Sequence, residues 1–207
     1  MKNMNFIYLA SQSISRQELL KSCNINFKVL KSHVAELDYD NNLSLNQNVL
    51  NIAIHKMENL SLINILPEND KEIYVLTADT LCQDINGIIS GKPKDYADAV
   101  NKIKALRGCS AVATAYCLDK KNYCNNQWVT KERITEVVNS EIILDIPDQW
   151  IDKYINSTIA LNAAGAAVID GFGSLFVKSI NGSYSNIIGL DVYKLRQSLE
   201  QLNFFKF

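Results

Sequence analysis

The chain has 207 residues, 47% of them hydrophobic and 21% charged, which is enough length and apolar content for one sizeable core. Lys and Arg number 21 against 22 Asp and Glu, and the resulting net charge of −1 argues against a broad nucleic-acid surface, which needs a clear basic excess. No run approaches the ~20 apolar residues of a membrane span, and the run from Phe6 to Ala10 is shorter than the roughly 7–15-residue core of a signal peptide, so a cytoplasmic protein with no membrane partner is expected.

In chain order, the run from Phe6 to Ala10 reads as a first strand. A helix follows, capped by Ser13 or Ser15; Ser15 with Glu18 has the capping-box spacing. A second strand is expected from Phe27 to Leu30, then a polar loop through Asn42. Ser44 with Gln47 is a second capping box, opening a helix to about Ile63 with an apolar stripe of Val49, Ile52, Ala53, Leu60 and Ile63. Lys56 points with that stripe. It either snorkels past the core edge or faces an anion there.

The stretch from Glu72 to Thr80 is an apolar strand that stops on a carboxylate, Asp79. Asn86-Gly87 then signals a hairpin that turns the chain back. This brings Lys92, locked before Pro93, toward Asp79. Taken alone, Asp79 reads as a hairpin cap or as a site acid. A helix from about Tyr96 to Arg107 is ended by Gly108. Two long strands, Cys109–Leu118 and Trp128–Ile143, are expected around a polar turn from Lys120 to Gln127. Pro147 opens a short helix with Trp150, Ile151, Tyr154 and Ile155 on one face. Val168–Ile169 and Leu175–Ile180 read as a pair around Gly171-Phe172-Gly173, and the last helix carries the stripe Val192, Leu195, Leu199 and Leu202. Strands and helices mix without strict alternation, so the fold class is α/β with a mixed sheet flanked by helices.

Five cysteines, at 23, 82, 109, 117 and 124, form no Cys-x-x-Cys pair and read as reduced thiols. His33 and His55 have no partner at zinc-ligand spacing. Gly91-Lys92-Pro93 lacks the Ser/Thr and upstream glycine of a P-loop.

An ordered set of segments runs through this pattern: Ala10-Ser11-Gln12-Ser13 leading into Arg16, then Ala35-Glu36, Lys56, Ala78-Asp79-Thr80, Gly91-Lys92-Pro93, Thr135-Glu136-Val137, Ala164-Gly165-Ala166 and Gly189-Leu190. No one of them is specific. Their order and spacing, from residue 6 to about 200, resemble the Maf family of nucleoside triphosphate pyrophosphatases. The resemblance implies one domain over 1–207, in one or two lobes, with an elongated twisted sheet like that of the inosine triphosphatase group. It also implies a homodimer and a reaction that splits a nucleoside triphosphate into monophosphate and pyrophosphate with a divalent cation, magnesium or manganese.

Carried over residue by residue, the resemblance makes Asp79 the base or metal-bound acid, Glu36 a metal ligand, and Lys92 a catalytic cation. Arg16 and Lys56 would grip phosphates, with Ser11, Ser13 and Thr80 adding contacts, although Ser13 also fits a plain cap. Asp170 stands where the family's glutamine reads the base. As a carboxylate it only accepts hydrogen bonds, which favours a base presenting donors, such as guanine.

The chain departs from the family elsewhere. Ser15 replaces the first arginine of Ser-Pro-Arg-Arg, and Asn162-Ala163 replaces Asp-Lys. Ala111 replaces a histidine and Asp191 a proline. These losses leave room for a rival reading, a nucleotide-binding regulator of a partner without catalysis. A phosphatase of another cut is a third.

Overall fold

The computed structural model describes residues 5–31, 37–67 and 71–205. Its centre is a seven-stranded sheet: β1 (Ile7–Leu9), β2 (Phe27–Val29), β3 (Glu72–Gln83), β4 (Ile89–Ser90), β5 (Gly108–Cys124), β6 (Gln127–Leu144) and β7 (Val177–Asn181). The order is β2-β1-β3-β5-β6-β7, with β4 pairing on β3. β1 runs parallel to β2 and β3, and the remaining pairs are antiparallel. The mixed α/β expectation therefore holds. Helices are α1 (Ile14–Ser22), α2 (Leu45–Glu58), α3 (Tyr96–Ala105), α4 (Ile151–Ser157), α5 (Tyr184–Ile188) and α6 (Val192–Gln201).

The two-residue period of β3 sorts its side chains onto opposite faces. Tyr74, Leu76 and Ala78 pack with Leu20 of α1 and Leu195 and Leu199 of α6. Val75 and Leu81 face the other way, against Met57, Val49 and Ala53 of α2. Asp79 shares the α2 face by parity, and Thr80 shares the opposite one. A further apolar cluster joins Ala99 and Ile103 of α3 to Ile151, Tyr154 and Ile155 of α4 and to Phe176.

Several local expectations are corrected. Ser13 caps α1 by accepting from the Arg16 amide, so Ser15–Glu18 is not the capping box. The Ser44–Gln47 box is present in full, but α2 ends at Glu58 and Ile63 is 82% exposed. The expected stripe runs one turn too far. β5 and β6 continue through the stretch expected to be a turn and are joined by Asn125 and Asn126 alone, both left-handed at φ 50° and 61°. That is the two-residue hairpin geometry that asparagine tolerates. Val168 and Ile169 form no strand; 3-10 turns occupy 164–166 and 171–176, and β7 pairs with β6 instead. Their buried side chains fill the space beside Leu106, Tyr154 and Phe176 rather than a ladder.

Candidate active site

β3 and α2 are tied together one residue pair below the site. The Thr77 hydroxyl donates to the Ala53 carbonyl at 2.7 Å. One turn further along α2, and two residues along β3, Lys56 Nζ reaches Asp79 Oδ1 at 2.6 Å. Both side chains keep partial exposure, 20% and 16%, because they open onto a cleft of about 500 Å³. Asp79 Oδ2 makes no hydrogen bond within the described residues.

Arg16 enters the same cleft from the first turn of α1 but is 8% exposed. Its Nε donates to Gly189 O at 2.7 Å, one terminal nitrogen to Ser11 Oγ at 3.1 Å and the other to Thr80 Oγ1 at 2.9 Å. Burial pulls the guanidinium down from its ordinary value, and the charge on Asp79 works against that. Three of its five N–H groups are thus committed inside the protein. The serines have local jobs too: Ser11 Oγ accepts the Ser13 amide at 3.3 Å, and Ser13 Oγ accepts the Arg16 amide at 3.4 Å.

Lys92 reaches the cleft from beyond β4, on an exposed segment. The carbonyl before it, on Gly91, accepts the Gly165 amide at 3.0 Å, and its own carbonyl accepts Lys102 Nζ at 3.0 Å. A side chain at Gly165 (φ 61°) would be strained, since its Cβ would fall 2.3 Å from Leu106 Cδ1 unless the leucine side chain moved. This explains why the Ala164-Gly165-Ala166 segment belongs with Gly91-Lys92. Asp170 lies on the rim, exposed.

Ser11, Ser13, Arg16, Lys56, Asp79, Thr80, Lys92 and Asp170 all line this one cleft. Glu36 lies outside the described residues. Sequence reasoning missed the apolar wall made by Val112, Val168, Ile169, Ile187 and Ile188. It also missed Thr114, whose hydroxyl meets that of Thr80 at 2.9 Å. A threonine inside the otherwise apolar run from Ala111 to Leu118, directly across from Thr80 in register, was the available signal.

The cleft is thus lined by two kinds of side chain. Three cations, Arg16, Lys56 and Lys92, share it with the carboxylate Asp79 and the N-terminus of α1, whose first-turn N–H groups favour anions. The rest of the lining is mainly aliphatic, with one further acid, Asp170. Among the described residues no three His, Cys, Asp or Glu side chains cluster as metal ligands. A hard divalent cation is commonly held by one or two carboxylates plus water and substrate phosphates. Asp79, with Oδ2 available, fits that mode.

A family model described as Maf-like protein matches residues 6–202. The chain belongs to the Maf-like family. Among its Maf-like relatives, a dTTP/UTP pyrophosphatase of Fusobacterium nucleatum is 35% identical over 198 residues, covering 95% of each chain. A dTTP/UTP pyrophosphatase of Caldicellulosiruptor bescii is 34% identical over 97% of this chain and 96% of its own. A nucleoside triphosphate pyrophosphatase of Prochlorococcus marinus is 32% identical over 94% of this chain and 96% of its own. Of solved structures, a HAM1 protein from Coxiella burnetii matches with a TM-score of 0.46 and 14% identity, over 96% of this chain and 100% of that one. The fold assignment rests on the sheet itself.

Proposed function

We propose that this Maf-like protein is a nucleoside triphosphate pyrophosphatase, cleaving a nucleoside triphosphate between its α- and β-phosphates. The observation that carries the reading is the Lys56–Asp79 pair opening onto a cleft lined both by cations and by an aliphatic wall. Such a cleft matches the two halves of a nucleotide. Its relatives' names as pyrophosphatases agree.

In this account Asp79 holds the attacking water and takes its proton while Lys56 keeps the carboxylate oriented. The water oxygen bonds to the α-phosphorus, and the bond from that phosphorus to the α,β-bridging oxygen breaks. Monophosphate forms and pyrophosphate leaves with the bridging oxygen. Lys92 and the N–H groups of Arg16 not used internally neutralise the phosphate oxygens as charge builds. A divalent cation, magnesium or manganese, would be held by Asp79 with Glu36, and would supply charge neutralisation and a more acidic water. Running the reaction in 18O-enriched water tests the cut: label in the monophosphate supports attack at the α-phosphorus, and label in pyrophosphate or orthophosphate opposes it.

Asp170 as an acceptor suits any base with a ring N–H. The guanine expectation is one such case. The N3–H of uracil or thymine is another, and it agrees with the dTTP/UTP names of the relatives. The regulator reading survives on a specific observation: Ser15, Asn162 and Ala163 line the cleft where the family's charged residues would stand. Turnover by the purified protein decides between the two.

We also propose a cytoplasmic homodimer with no nucleic-acid or membrane partner. One observation supports the dimer. Among the described residues β6 pairs with β7 only over Glu141–Leu144, so its stretch from Gln127 to Asn139 bonds to β5 on one side and offers the other to a second copy. Light scattering on the purified protein reads the oligomer directly.

A further inference from the structure

We infer that Thr114 and Asn186 are positioning residues for this cleft, aiming Arg16 beside Asp79 through a buried chain of hydrogen bonds. The inference rests on the nucleotide reading of the cleft for its functional meaning, though its geometry stands apart from it.

A buried guanidinium stays charged only if its N–H groups find acceptors. One of the three acceptors of Arg16 is the Thr80 hydroxyl, which can only accept from a guanidinium and needs a separate acceptor for its own proton. Donor bookkeeping shows where that proton goes. Thr114 Oγ1 donates its proton to Asn186 O at 2.9 Å. The 2.9 Å contact between the two threonine hydroxyls must then use the proton of Thr80. Thr80 is left presenting a lone pair to Arg16, as the 2.9 Å bond to that nitrogen requires.

The other end of the chain is equally constrained. Asn186 is fully buried and Thr114 is 1% exposed. The Asn186 amide donates to Val112 O on β5 at 3.1 Å and to Ser140 Oγ on β6 at 3.0 Å. Asn186 O also accepts the Gly189 amide at 3.0 Å, and Gly189 O is the acceptor of Arg16 Nε. Thr114 and Asn186 thus control two of the three acceptors that hold the guanidinium. With those fixed, the two uncommitted N–H groups of Arg16 have set directions in the cleft that it lines. A charged group held this way is pre-organised for an anionic substrate. The segment from Gly182 to Leu190, which sequence alone marks only as part of a pattern, gains a role as the back wall of the arginine.

If Thr114 served only to glue α5 to the sheet, its loss would lower stability and leave catalysis intact. The test compares Thr114→Val, Thr114→Ala and Thr114→Ser with the wild type, measuring kcat and KM for UTP with magnesium, Tm, and exchange of the Arg16 Nε–H by 1H–15N NMR. Removing the hydroxyl should lower kcat/KM by roughly 10- to 100-fold, the range of one charge-assisted hydrogen bond. It should also speed exchange at Arg16, while Thr114→Ser restores both. Wild-type kcat/KM and a protected Arg16 N–H in both apolar variants would overturn the inference. So would a serine variant as impaired as they are, with Tm lowered alike in all. If the wild type turns over no nucleotide, the enzymatic reading fails by itself, and the exchange measurement still judges the hydrogen-bond chain.

Discussion

Lys56 Nζ lies 2.6 Å from Asp79 Oδ1 although the two residues are 23 apart in sequence, one on α2 and one inside the central strand β3, which runs on to Gln83 rather than stopping at Thr80. Both belong to the layer between α2 and the sheet, and both are the polar members of otherwise apolar stripes. Asp79→Asn keeps the shape and still accepts from Lys56, so its Tm should stay within a few degrees of the wild type. Turnover should fall by about 100-fold or more, the usual contribution of a positioned acid or base. Steady-state kinetics beside a thermal melt checks both halves. A variant that melts normally and retains full kcat removes Asp79 from the chemistry.

The inward aim of Lys56 was legible in the sequence, because it follows Val49 by seven residues on a helix. Its partner was not: sequence reasoning turned Lys92, not Lys56, toward Asp79, since only the packing of α2 on β3 brings residues 56 and 79 together. The apolar wall was not legible. Val168 and Ile169 have strand-like composition, yet tertiary packing against Leu106 and Tyr154 holds them in irregular backbone. The ends of β5 and β6 were lost for the opposite reason. Lys120, Lys121 and Asn122 read as part of a polar turn, but Lys121 binds Asp119 along β5 and Thr130 across the hairpin, and Lys120 finds Glu72. The internal grip on Arg16 was not legible either, because nothing local shows that Gly189, far along the chain, would claim its Nε.

The hairpin network makes its own prediction. Asp119 is fully buried, and Arg133 grips it with Nε at 2.7 Å from Oδ1 and a terminal nitrogen at 3.0 Å from Oδ2. Lys121 and Thr130 complete it at 2.7 and 2.9 Å. Replacing Asp119 by Ala leaves Arg133 with Glu58 and Lys121 with Thr130 as their remaining partners, and should cost about 3–5 kcal/mol in urea unfolding. A cost under about 1 kcal/mol would show the network to be solvated.

The same carboxylate sets an acid limb. Burial alone would raise its pKa, but the hydrogen bonds from Arg133 and Lys121 outweigh this and hold it below the ordinary value. With the folded value lower than the unfolded one, about 3.9, the stabilisation is present above that pH and is lost as pH falls through the folded value. Stability of the wild type should therefore drop more steeply below about pH 4 than that of Asp119→Asn. Parallel acid curves would contradict the assignment.

Gly165→Ala should be destabilising by about 1–3 kcal/mol, the range for forcing extra volume into a packed site. The added carbon would press on Leu106 and Cys82, at a left-handed backbone position. Because the Gly165 amide holds the carbonyl preceding Lys92, activity should fall alongside stability. Denaturant melts and kinetics at low temperature separate the two effects, and a variant as stable as the wild type would show that the turn can shift.

Thiol reactivity divides the cysteines. Burial pushes Cys82 up to about 12, and Cys117 likewise to about 12, whereas Cys23, Cys109 and Cys124 are exposed. At pH 8 the native protein should react quickly with a disulfide reagent at the three exposed thiols, and unfolding should release the remaining two. Fast reaction of Cys82 in the native protein would mean that the cleft opens to its floor.

The most direct test of the enzymatic account is product analysis of the purified protein with a panel of nucleoside triphosphates in magnesium and in manganese, beside Asp79→Asn. The account predicts nucleoside monophosphate and pyrophosphate in equal amounts from the wild type, fastest with UTP or dTTP, and almost none from the variant. Orthophosphate as the first product, equal rates from both proteins, or nucleotide binding without turnover would contradict it.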